Sequence, residues 1–154
     1  MDCLSENMIS EEELLPLLRE RLSAGQTVRY LPFRGVSMLP LLRQGKDQVE
    51  LSPLPQKLKK YDLPVYQYPS GKVVMHRVVR VREEDYVCLG DNTYSYEHVR
   101  HDQMIGIVSG IKRGERYIAV TAPGYRLYSR VWVAVFPIRR LYRRAKSFLY
   151  RLLK

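Results

Sequence analysis

Residues 27–120 form a succession of short β-forming runs, each closed by a turn-forming segment. The runs are 27–33, 47–51, 63–68, 73–81, 86–89, 104–111 and 117–120. Segments such as Ser52-Pro53-Leu54-Pro55 and Gly90-Asp91-Asn92 punctuate them, and Pro69-Ser70-Gly71 sits between two runs as a hairpin turn. Such spacing predicts a mainly β fold, a compact antiparallel sandwich or partial barrel. With 154 residues the chain has one domain's worth of sequence, and 45% apolar residues exclude a wholly disordered chain.

The two ends of the chain read differently. Residues 9–24 predict an amphipathic helix, with Ser10 as N-cap, Glu13 completing a capping box and Gly25 as the stop. Leu14, Leu15, Leu17, Leu18 and Leu22 supply its apolar face, and Pro16 predicts a kink or a later start. Charge marks the other end. Residues 1–115 hold 16 Lys and Arg against 16 Asp and Glu, whereas residues 116–154 hold ten basic residues and no acid. From Pro137 onward, Ile138, Leu141, Tyr142, Ala145, Phe148, Leu149 and Leu152 recur at helical spacing. Arg139, Arg140, Arg143, Arg144, Lys146 and Arg151 fall largely on the other side. The organisation expected is therefore an N-terminal helix (1–26), a β core (27–120) and a basic amphipathic tail (121–154).

Cys3 and Cys88 make neither a disulfide framework nor a zinc pattern, and Cys88 reads as a small apolar strand residue. There is no apolar run of membrane-spanning length and no signal-peptide pattern, so the sequence predicts a cytoplasmic protein. The tail changes that expectation. Arginines opposite Leu, Phe and Tyr suit an anionic membrane surface, which predicts a peripheral location through residues 137–154. The same stripe could instead pack on the protein's own sheet or on a second subunit, and nucleic acid is the least favoured partner.

Three segments could carry chemistry. In Gly35-Val36-Ser37-Met38-Leu39-Pro40, a serine between a glycine and a proline-closed turn can present both a free Oγ and an exposed backbone N–H. In Val74-Met75-His76-Arg77-Val78, strand alternation puts His76 on the side of Val74 and Val78, stiffly held as a general base should be. Gly90-Asp91-Asn92 is a turn, with Glu97 six residues beyond its aspartate. Alone, each is an ordinary feature of a β protein.

In this order and spacing the segments resemble signal peptidase I, in the branch typified by the endoplasmic-reticulum and archaeal enzymes. Ser37-Met38-Leu39-Pro40 is similar to that family's serine motif, and Tyr61-Asp62-Leu63-Pro64-Val65 to its Gly-Asp-Val-Val run. His76-Arg77-Val78 and Gly90-Asp91-Asn92 match its next two motifs, and Gly106 matches the glycine of its last core strand. The likeness covers residues 27–113. It implies a serine endopeptidase with no cofactor and no metal, in which Ser37 is the nucleophile and His76 the base. An imidazole can serve near neutral pH without the desolvation that a lysine base needs. Either Asp91 or Glu97, which stands where an aspartate is usual, would orient His76. Gly35, Met38 and Pro40 would shape the substrate and oxyanion region around the Ser37 N–H.

The implied substrate is a leader, signal or precursor peptide bound as an added strand, with small side chains beside the cleaved bond. A catalytically silent peptide-binding module is the alternative, as is a self-cleaving regulator of the same fold. The latter would need a helix-turn-helix that residues 1–26 do not contain. Glu97, His98, His101 and Asp102 also suggest a metal cluster, but no third ligand of matching spacing accompanies the two histidines.

Overall fold

The computed structural model describes residues 11–30 and 35–152. The expected N-cap Ser10 and Cys3 lie outside the described residues, as do residues 31–33 of the first strand run. Helix α1 (Glu11–Ser23) runs through Pro16. It lays Leu14, Leu18 and Leu22, spaced four apart, into the main core. Burying three leucines contributes roughly 5–9 kcal/mol before entropy is counted. The approach to the sheet is close because Gly106 leaves room: a Cβ there would lie 2.8 Å from Leu22 Cδ1.

The strands form two antiparallel sheets. The larger has the order β1 (Val28–Tyr30), β2 (Asp47–Ser52), β8 (Met104–Arg113), β3 (Pro64–Gln67), β4 (Val73–Met75), with β9 (Arg116–Ala119) also paired to β8. The smaller holds β5 (Arg77–Val81), β6 (Tyr86–Leu89) and β7 (Glu97–Val99). Pro69-Ser70-Gly71 closes the β3–β4 hairpin, where the Tyr68 N–H donates to the Lys72 carbonyl at 2.9 Å. Two clusters fill the interior. One lies between α1, the larger sheet and Met38, Leu41 and Leu42 of the serine segment. The other joins both sheets through Tyr66, Val78, Tyr86, Cys88, Val99 and Met104. Burial pushes the Cys88 thiol up to about 12, which leaves it unreactive in this core.

Three features depart from expectation. The fold is mixed rather than mainly β: beside its antiparallel sheets it has three helices among the described residues, with strand and helix in nearly equal shares of about 31%. The run 73–81 is two strands: β4 and β5 belong to different sheets, and His76 is the residue between them. The tail begins a full helix earlier than its leucine pattern suggests. Helix α2 (Pro123–Ala134) starts with proline in its first turn and buries Tyr125 and Ser129 against the body. Helix α3 (Phe136–Leu152) follows after one residue, on the register that the apolar spacing indicates. Among the described residues, no helix is long and apolar enough to cross a membrane.

Candidate active site

Where the two sheets part, a cleft of about 330 Å³ opens, lined by Gly35, Ser37 and Met38 on one side and by residues 72–76 on the other. His76 is 4% exposed. Its Nδ1 lies 2.8 Å from Glu97 Oε2, and the fully buried Tyr66 hydroxyl donates to the same oxygen. The carboxylate accepts both bonds when Nδ1 carries the proton, and in the neutral ring with that tautomer Nε2 is the acceptor nitrogen. Nε2 has no partner among the described residues. Burial alone would raise the Glu97 carboxyl, but hydrogen bonds from His76, Tyr66 and Tyr68 outweigh it and hold the group at about 2. Glu97 is thus an anion at any pH where an imidazole could work as a base.

Of the two acids the sequence offers to His76, Asp91 goes elsewhere. His76 and Arg77 are neighbours in extended chain, so their side chains leave the backbone on opposite sides. Glu97 meets the first and Asp91 the second. Arg77 is wholly buried, with Nε and Nη2 donating to the two Asp91 oxygens at 2.9 and 2.8 Å. Its Nη1 donates to Ser129 Oγ at 2.8 Å and to the Tyr125 hydroxyl at 3.1 Å, while Tyr128 donates to Asp91 Oδ2. The Asp91 carbonyl accepts from Trp132 Nε1 at 2.8 Å and from Arg139 Nη2. Asp91 is therefore the point at which α2 and α3 grip the Gly90-Asp91-Asn92 turn.

That turn holds the serine segment. The Asn92 N–H donates to the Ser37 carbonyl at 2.7 Å, and its side-chain amide donates to the Val36 carbonyl at 3.1 Å. Gly90 is where the parts meet. A Cβ there would stand 2.8 Å from the Ser37 carbonyl oxygen and 3.0 Å from His76 Cδ2, the carbon bonded to Nε2. The far end of the segment is tied by Asp47, whose carboxylate accepts from the Arg43 N–H at 2.8 Å and from its guanidinium. Burial works against the charge on Asp47, yet Arg43 and Arg113 hold its carboxyl below the usual range. Arg113 also donates to the Pro40 and Leu41 carbonyls. Ser37 is half-buried in the cleft, and among the described residues its hydroxyl has no hydrogen-bond partner, His76 included. Catalytic hydrogen bonds commonly form only once substrate is bound.

Met38 points into the main core and accepts from the Asp91 N–H at its sulfur, so it anchors the segment from beneath. Gly35 is exposed and lines the cleft, whereas Pro40 lies outside the lining. Glu97, His98, His101 and Asp102 diverge: His98 bonds Asp85 at 2.8 Å, His101 contacts the Tyr86 hydroxyl, and Asp102 pairs with Arg100. Among the described residues, no group of three or more His, Cys, Asp or Glu could hold a metal ion.

Two contributors escape the sequence. Tyr66 gives no local sign that its hydroxyl crosses to Glu97. The ring cluster of Tyr125, Tyr128 and Trp132 on α2 is masked by a helix whose inward side is aromatic and hydroxyl-bearing rather than aliphatic. No protein-family model matches the chain, and no curated protein matches it.

Proposed function

We propose that the chain is a serine endopeptidase resembling signal peptidase I, with Ser37 as nucleophile, His76 as base and Glu97 as the residue that orients it. The observation that carries this reading is the Glu97–His76 pair, which leaves Nε2 beside a cleft that also contains a serine hydroxyl, both without a partner among the described residues. Ser37 Oγ attacks the scissile carbonyl carbon while Nε2 takes its proton. The oxyanion rests on the Ser37 N–H. Collapse breaks the C–N bond, and the imidazolium protonates the leaving amine. Water then attacks the acyl-serine with Nε2 again as base, which releases the acid and restores Ser37.

The cleft also suits an extended peptide. Among the described residues β4 is the last strand of its sheet and pairs with β3 alone, which leaves its other edge to offer backbone groups along the lining residues 73–75. Val65, Val73, Met75 and Leu42 line the same cleft, which favours small apolar side chains on the substrate.

The test is intact-mass analysis of leader-like peptides incubated with wild type, Ser37→Ala and His76→Ala. Cleavage by wild type, with a fall of about 10³-fold or more in either variant, is expected. Undiminished cleavage by Ser37→Ala overturns the assignment. A peptide-binding module without turnover is the second reading, favoured by the lack of a Ser37–His76 hydrogen bond. Equal peptide affinity in wild type and Ser37→Ala, with no products from either, selects it.

A further inference from the structure

An amphipathic helix on a globular protein normally turns its apolar side inward. Helix α3 does not. Only its first two turns rest on the body, through Phe136 and a cationic side where the Arg139 guanidinium lies 4.1 Å from the Trp132 ring centroid and Arg143 lies 4.4 Å from that of Tyr94, while residues 141–151 are all exposed. Phe136, at its first turn, is buried against Tyr94 and Tyr96. The opposite side carries Ile138, Leu141, Tyr142, Phe148 and Leu149, all between 57% and 70% exposed. That exposure does not fit the alternative in which the stripe packs on the protein's own sheet.

We propose that the outward side of α3 is a docking surface for an anionic lipid bilayer, with the helix lying in the headgroup plane. Charge complementarity selects this occupant. Residues 116–154 hold ten Lys and Arg and no acid. Arg140, Arg144 and Arg151 have no ion-pair partner among the described residues, and they flank the apolar stripe where phosphate groups would lie. Tyr142, 69% exposed, belongs to the stripe, and a tyrosine ring favours that boundary. A second copy of the chain is disfavoured by the same count, because joining two such helices brings two acid-free cationic segments together. Docking of this kind requires no peptidase activity in the cleft.

The experiment is vesicle co-sedimentation of the full chain, using phosphatidylcholine with or without about 30% phosphatidylglycerol, at about 0.1 M and about 0.5 M NaCl. Two double variants accompany it: Leu141→Glu with Phe148→Glu, and Arg140→Glu with Arg144→Glu. Leu141, Phe148 and Arg144 are exposed and Arg140 is half-buried at the edge of the seat, and circular dichroism checks that the fold is kept. Wild type should bind the anionic vesicles and weaken in salt. The apolar-side variant should lose about 100-fold in affinity and the flank variant about 30-fold. Absence of binding at low salt overturns the proposal, as does undiminished, wild-type binding by both variants. So does a lipid-independent dimer abolished by the apolar-side variant, or duplex DNA binding that exceeds vesicle binding.

Discussion

Asp91→Asn isolates one buried charge almost without changing shape. In the native protein the Arg77 guanidinium has no exposed surface and faces Asp91 through two hydrogen bonds. Charge centres about 4 Å apart at an effective dielectric of about 20 attract by about 4 kcal/mol. Breaking such a pair on one side costs about 3–5 kcal/mol, because the remaining charge stays buried. The asparagine amide keeps one acceptor but turns an NH₂ toward a guanidinium nitrogen, which adds to the loss. Tyr125, Ser129 and the Tyr61 carbonyl still accept from Nη1, but none of them carries charge. Against a total stability on the order of 10 kcal/mol, the urea midpoint should fall by about 2 M and Tm by about 6–20 °C, both followed by circular dichroism. Adding Arg77→Met should recover part of the loss, since methionine removes the stranded charge and fills most of its volume. A loss below about 1 kcal/mol for Asp91→Asn, or a double variant no better than the single one, would refute the claim that this pair is desolvated and closes the α2 interface.

Glu97 gives a pH prediction with a definite sign. Its carboxyl is held at about 2 in the folded protein against 4.5 ordinarily, so its contribution is present above about pH 4.5 and disappears as pH falls toward 2. Urea titrations at pH 6 and pH 3 should show that Glu97→Gln removes roughly 2–3 kcal/mol of this acid sensitivity at most. If the variant keeps the wild-type slope, Glu97 is not the group responsible. Gly90→Ala should push the Ser37 carbonyl and the His76 ring apart, because its Cβ would stand 2.8 Å and 3.0 Å from them. A fall in kcat, with a stability loss of about 1–3 kcal/mol from overpacking, is expected in peptide cleavage and urea assays. Wild-type kcat would show that the turn does not set the spacing of the two groups.

Much of this architecture is legible in the amino-acid sequence. Tyr86–Leu89 and the Pro69-Ser70-Gly71 hairpin follow from β-propensity and turn chemistry, and α3 follows from a leucine spacing with an acid-free opposite side. The rest fails for physical reasons. Alternation along 73–81 tells which side each residue takes but not which strand it pairs with, so the change of sheet at His76 is invisible. β7 is only three residues long, below the length at which a pattern exists. α2 contains Gly124 and two β-branched valines, and it buries hydroxyl groups instead of an aliphatic stripe. The two acids could not be told apart locally, because their assignment depends on the opposite directions taken by His76 and Arg77.

Trp132 is the chain's single tryptophan. Its ring is stacked at 5.5 Å on Tyr128, capped by the Arg139 guanidinium, and its N–H is bonded to the Asp91 carbonyl, one residue before the Asn92 that holds Ser37. An indole excited state responds to a nearby cation and to the partner of its N–H. One intrinsic fluorophore therefore reads the seating of α3 and the set of the serine-bearing turn in the same emission band. The molecule carries its own optical gauge of whether an event on the tail reaches the cleft, with no label attached.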